Sequence, residues 1–305
     1  MSKISDLFRE NFKKSDDIRD AGLTTPEDIV RYDDIVYGQD AEWQILDVYR
    51  PKAEEGKKLP VIVSVHGGGW VYGDKECYQY YCMDLAQRGF AVVNYTYRLA
   101  PEFKFPSSLE DTNLVFTWVL QHAPEYGFDI KHVFAVGDSA GAHNLGLYTS
   151  ICTNREYASK YPFQVPEGFV PTAVALNCGK YEISHDGVFS DEQTKLLMED
   201  LLPEQGSPKE HELINVAEHV TKDYPPVFLM TSTGDFLKDY AIPMAAKLSS
   251  CDVPFMYRLY GDCENKLGHV FHCDVRSADA RVCNNEECDF FKDKDRSGKA
   301  HHSIY

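Results

Sequence analysis

The chain has 305 residues, enough for one large α/β domain or two small ones and for a sizeable buried core. Its hydrophobic content of 43% and charged content of 26% are ordinary for a soluble globular protein. A formal net charge of -17 repels phosphate backbones and anionic lipid surfaces, which excludes nucleic acid as a partner, and no run of about 18 apolar residues offers a membrane span.

Residues 1 to about 40 read as helix-like, polar and amphipathic. Their opening lacks the continuous apolar core of a signal peptide, so the expected location is the cytoplasm. Nine cysteines, odd in number and irregular in spacing, agree with that expectation. Apolar runs of strand length follow at Ile45–Tyr49, Val61–Val65, Ala91–Tyr95, Val133–Val136, Ala173–Leu176, Val227–Met230 and Phe255–Leu259. Several are nearly continuous, as expected of strands buried on both faces of a parallel sheet. Helical patterns fall between them at Tyr78–Arg88, Ser107–His122, Ala140–Cys152 and Tyr240–Ser250. Such alternation predicts a doubly wound α/β sheet in a single domain spanning 1–305. Residues about 179–224 break the pattern, being charged and interrupted by Pro203 and Pro208. With residues 1–40 they are expected to form a helical cap over the carboxyl ends of the strands, where ligands of open α/β sheets bind. Residues 292–305 read as a frayed polar tail.

Three stretches carry the chemistry, each after its own strand. His66-Gly-Gly-Gly-Trp70 closes the Val61–Val65 run, and its glycines leave N–H groups unshielded that can face a developing oxyanion. No G-K-[ST] and no G-x-G-x-x-G accompanies it, which argues against a phosphate cradle. His66, at a strand end, is expected to orient this loop. Gly137-Asp-Ser-Ala-Gly141 lies between a strand and a helix, the context of a nucleophile elbow that exposes Ser139. Asp235 follows the Val227–Met230 strand and a glycine, and is preferred as triad acid over Asp239, expected at a helix start. Asp138 is too close to the serine to orient a histidine from behind and is expected to support the elbow. His269, in the loop after Phe255–Leu259, is preferred as base over His272, expected to begin the final helix. Order and spacing give Ser, Asp, His, as this fold requires. Cys263, His269, His272 and Cys273 cluster, followed by Cys283 and Cys288, but no C-x-x-C pair occurs and no common zinc module fits. No metal and no cofactor are expected.

These stretches, with Tyr97-Arg-Leu-Ala-Pro-Glu102, Phe105-Pro106 and Glu110-Asp111, resemble the hormone-sensitive-lipase-like family of α/β-hydrolases, the family IV carboxylesterases, over about residues 40–290. The resemblance implies an α/β-hydrolase fold, a mostly parallel central sheet flanked by helices and topped by a cap. It implies Ser139 as nucleophile, His269 as base, Asp235 as orienting acid, and an oxyanion hole from the N–H groups of Gly68, Gly69 and Ala140. Residues 97–102 would support the catalytic loops. Trp70 and Tyr72 are candidate substrate contacts. Three departures stand out: Phe236 where the family has proline after the acid, Val270 after the base histidine, and Ala142 for a glycine after the elbow. The expected activity is hydrolysis of short-chain carboxylic esters, with acetyl-sugar or phenolic esters as an alternative substrate class. A non-catalytic small-molecule binder on the same scaffold is the alternative function. A homo-oligomer is left open.

Overall fold

The apolar runs assemble into one eight-stranded sheet in the computed structural model, which describes residues 3–183 and 191–296. Its strands are β1 (Ile29–Val36), β2 (Ile45–Pro51), β3 (Leu59–Val65), β4 (Ala91–Tyr95), β5 (Phe128–Asp138), β6 (Ala173–Asn177), β7 (Val227–Ser232) and β8 (Phe255–Tyr260), in the order β1-β2-β4-β3-β5-β6-β7-β8. Pairing is antiparallel from β1 to β2 and from β2 to β4, and parallel everywhere else. The centre of the sheet explains its sequence. Val61, Ile62 and Val63 on β3 are all fully buried, because period-two alternation sends Val61 and Val63 to one core and Ile62 to the other. Each such side chain contributes roughly 1.5–3 kcal/mol on burial. Helices Ser107–Gln121, Ala140–Thr153 and Ala241–Ser250 cover the first face, and Lys75–Ala86 and Ala278–Arg296 cover the second.

Three sequence expectations need correction. The segment 1–40 is helical only over Lys3–Asp20, and Ile29–Val36 is the antiparallel edge strand of the sheet. Its signal was masked because it is largely exposed and carries Asp33 and Asp34 at an irregularity in its register, where Asp34 takes φ 56°. His272 does not begin the final helix. It lies fully buried in a short 3₁₀ turn, Phe271–Cys273, and the helix starts at Ala278. That helix runs to Arg296, so the expected fraying is not seen over 292–296, and 297–305 lie outside the described residues.

Of the irregular segment between β6 and β7, residues 184–190 also lie outside the described residues. The remainder forms helices Glu192–Leu201, Pro208–Ile214 and Val216–His219. Asp191 caps the first by accepting from Thr194 N–H, and Ser207 with Glu210 forms a reciprocal capping box on the second. Helix Lys3–Asp20 packs on Glu192–Leu201, and Ser5 Oγ donates to the Asp200 carboxylate. Arg9 anchors the same helix to the core loops. Its guanidinium pairs with Glu102 at 2.6 Å and donates to the carbonyls of Val71 and Ala100.

Candidate active site

Ser139 stands between the end of β5 and the helix Ala140–Thr153 with φ 53° and ψ -120°. A non-glycine residue in that region is strained by about 1–3 kcal/mol and persists only where its surroundings over-determine it. Gly141 supplies much of that constraint. A Cβ there would sit 2.0 Å from the Val65 carbonyl oxygen and 2.5 Å from that of His66, so only glycine lets the elbow press against the end of β3. The same close approach sets the glycine loop beside the serine.

His269 joins the other two predicted residues to this point. Its Nε2 lies 3.0 Å from Ser139 Oγ and its Nδ1 lies 2.7 Å from Asp235 Oδ1. Asp235 is buried, and its carboxylate also accepts from Leu237 N–H and Thr231 Oγ1, both at 2.8 Å. Burial alone would raise the Asp235 pKa. The hydrogen bond and charge of His269, with the other two donors, outweigh burial and hold it below the ordinary carboxylate value. The competitor Asp239 is exposed in a 3₁₀ turn. His272 shows no bond to the triad, and burial first, then the charges of His269 and Arg19, push its pKa down to about 3.

The glycine loop curls under the serine. Gly68 takes φ 118°, and a Cβ there would meet the Tyr72 carbonyl oxygen at 2.1 Å. Among the described residues, the N–H groups of Gly68, Gly69 and Ala140 find no backbone or side-chain acceptor. His66 holds the loop as expected: it stacks on Tyr97 at 4.0 Å, its Nδ1 lies 2.8 Å from Gly67 O, and Tyr97 Oη donates to its carbonyl at 2.9 Å. A link that sequence reasoning missed runs behind it. Gly67 N–H donates to Tyr78 Oη at 3.0 Å, and Tyr78 Oη donates to Asp138 Oδ2 at 2.7 Å. Asp138 thus supports the elbow, tying it to the glycine loop. Burial raises its pKa to about 6, against the lowering effect of Tyr78 and the His269 charge. Tyr78 carried no motif signal, because it sits in an ordinary amphipathic helix.

Two clefts meet at Ser139. The larger, about 430 Å³, holds Trp70, Gly69 and Ala140, and the smaller, about 240 Å³, holds Tyr72, Gly68 and His269. The two predicted aromatic contacts therefore serve opposite sides. Trp70 is fixed by its indole N–H, which donates to His143 Nδ1 at 3.1 Å while His143 Nε2 bonds the Ile214 carbonyl at 2.8 Å. Burial lowers the His143 pKa to about 4, so the ring stays neutral and can accept. Tyr72 Oη donates to Asp16 at 3.0 Å. Phe12 and Phe236 border both clefts, and the Phe236 ring lies 4.3 Å from the His269 ring. Sequence periodicity gave no sign that Phe8 and Phe12 would wall the site.

The cysteine and histidine cluster read from the sequence disperses. Cys263 is exposed, and Cys283 and Cys288 are buried in the core. Among the described residues, Asp138, His272 and Cys273 form one group whose donor atoms lie within 4.8 Å of one another, and Cys178, Asp235 and His269 form another. Asp138 is already engaged by Tyr78, and the second group contains two of the three residues joined through His269.

Residues 46–245 match the family described as BD-FAE. The chain belongs to the BD-FAE family. Its sheet and motifs make it an α/β-hydrolase of the hormone-sensitive-lipase-like group. It is similar to an esterase of Gibberella moniliformis, 30% identical over 68% of this chain and 66% of that one. It is also similar to the versiconal hemiacetal acetate esterase of Dothistroma septosporum, 27% identical over 70% and 67%. Across the first four curated relatives the chain spans 57–67% of their length. Among solved structures, esterase B of Lactobacillus rhamnosis inhibited by a tributyrin phosphonate superposes with a TM-score of 0.87 at 26% identity, over 97% of this chain and 95% of that one. Among the described residues, no helix of this BD-FAE member is long and apolar enough to cross a membrane.

Proposed function

We propose that this protein is a serine carboxylesterase acting on short-chain carboxylic esters. One observation carries the reading: the His269 ring spans Asp235 and Ser139 at 2.7 and 3.0 Å, beside three N–H groups without acceptors among the described residues. The names of the relatives support ester chemistry, the versiconal acetate esterase supports small acyl groups, and the tributyrin phosphonate on esterase B supports short chains.

In this reading Ser139 Oγ attacks the ester carbonyl carbon as its proton passes to His269 Nε2. Asp235 holds Nδ1–H, fixes the tautomer and stabilises the imidazolium. The carbonyl π electrons move to oxygen, where the N–H groups of Gly68, Gly69 and Ala140 receive the oxyanion, each worth roughly 3–4 kcal/mol in the transition state. Collapse breaks the bond to the alcohol oxygen, which takes the proton from His269. Water then adds to the acyl-enzyme, giving its proton to His269, and Ser139 leaves protonated. Helix Lys3–Asp20 and the helices Glu192–Leu201, Pro208–Ile214 and Val216–His219 act as a cap in a single domain. The nine cysteines are free thiols, which supports a reducing compartment such as the cytoplasm.

The test is p-nitrophenyl acetate turnover by the wild type and Ser139→Ala. Activity is expected in the first and a fall of roughly 10⁴-fold or more in the second. Equal turnover by both would overturn the nucleophile, and no turnover by either would favour the binder.

A further inference from the structure

The two clefts have different walls, and the mechanism says which part of an ester each receives. A leaving alcohol must take its proton from His269 Nε2, so it lies on the side that His269 lines, which is the smaller cleft. The acyl group extends the other way, into the larger cleft. Phe8, Trp70, Leu197, Leu237 and Tyr240 make most of that wall apolar, yet it also carries Lys180.

Lys180 is unusual for a lysine. Its side chain is only 6% exposed. Lysines are almost never buried unless paired. Its Nζ lies 3.2 Å from Asp191 Oδ2, donates to Thr194 Oγ1 and sits 5.0 Å from the Tyr240 ring centroid. An ammonium has three N–H donors. Asp191 and Thr194 take two, and among the described residues no acceptor takes the third. Burial lowers the Lys180 pKa against the opposing charge and hydrogen bond of Asp191, and it is the ammonium form that keeps a third N–H for a ligand.

We propose that Lys180 determines acyl specificity by donating to an oxygen far along the acyl chain, so that esters of short keto or hydroxy acids are preferred over plain alkyl esters. The proposal rests on the esterase reading above. A neutral oxygen fits better than a carboxylate. Asp191 and Glu192 also line this cleft, so a third anion would meet two carboxylates against one ammonium.

The experiment compares kcat/KM for p-nitrophenyl 4-oxopentanoate with that for p-nitrophenyl pentanoate, which differs only in the keto oxygen. Wild type is expected to favour the keto ester by about tenfold, the effect of one hydrogen bond from a charged donor. In Lys180→Met the ratio is expected to fall to about one, mainly through KM, while Lys180→Arg keeps most of it. Both esters are read on one preparation, so the ratio does not depend on how much of a variant folds. Moving the oxygen to the alcohol, in hydroxyacetone butyrate against propyl butyrate, should give a ratio that Lys180→Met leaves alone. A wild-type ratio near one, an unchanged ratio in Lys180→Met, or a Lys180 effect confined to the alcohol side would each overturn the inference. Hydrolysis of neither ester would overturn the esterase reading with it, whereas equal hydrolysis of both would sink only this one.

Discussion

Glu287 is a carboxyl group with no access to water, and it gives the fold a pH dependence of unusual sign. It is fully buried in the helix Ala278–Arg296, accepting from Asn177 Nδ2 at 2.6 Å and from Tyr81 Oη at 3.0 Å. Burial raises its pKa from 4.5 to about 7, against the lowering effect of those two bonds. An acid whose pKa is higher folded than unfolded stabilises the fold fully below the unfolded value and loses that contribution as pH rises through the folded one. The 2.5-unit difference between 4.5 and about 7 amounts to about 3 kcal/mol in all. Of this, about 2 kcal/mol is lost between roughly pH 5.5 and pH 8.5. Glu287→Gln removes the ionisation and keeps the shape. Among the described residues Asn177 Oδ1 has no partner, so turning that amide over gives the new side-chain N–H₂ an acceptor. Urea unfolding at about pH 5.5 and about pH 8.5 is the assay, read as the difference between the variant and the wild type. The variant should gain by about 2 kcal/mol from the lower to the higher pH. Taking the difference cancels Asp138, whose raised pKa acts in the same direction in both proteins. A difference that does not change with pH would refute the reasoning.

Asp235→Asn should cost about 10⁴-fold in kcat on p-nitrophenyl acetate with little change in KM, because the histidine loses its tautomer partner; a loss under tenfold would point to another acid. Gly141→Ala places a methyl against two backbone carbonyls that cannot yield, so urea unfolding should show a loss of at least 1–3 kcal/mol, about the cost of overpacking. Tyr78→Phe removes the hydroxyl between Gly67 and Asp138; the expected loss is about 1–3 kcal/mol of stability, with kcat lowered more than KM is raised, and an unchanged urea midpoint would contradict it. Ser207→Ala breaks the capping box of Pro208–Ile214 and should lower stability by about 1 kcal/mol in the same assay.

What the sequence disclosed follows from which constraints are local. Ser139 and Asp235 follow a strand within three residues and His269 within nine, and strand ends are easy to read where both faces are buried, as at Val61–Val63. The glycines of the elbow and the loop are equally legible, since the backbone itself needs them. β1 escaped because an edge strand has neither two buried faces nor clean alternation, and its polar, amphipathic stretch read as helix. The cleft walls escaped for a different reason. Phe8, Phe12, Lys180 and Phe236 meet only through packing between segments far apart in the chain, and no periodicity records that. His272 was misplaced because a buried 3₁₀ turn and a helix start share the same few residues of apolar pattern.

The hold on helix Lys3–Asp20 has a consequence for synthesis. Residues 3–20 leave the ribosome well before their partners, since Arg9 waits for Glu102 and Ser5 waits for Asp200. The wall that the helix gives to both clefts therefore is not fully anchored until Asp200 has been made. Ser139 emerges before His269 as well, which follows it by 130 residues. In the proposed mechanism a nascent chain thus carries a nucleophile without its base, and the site is completed only when the sheet beneath it is.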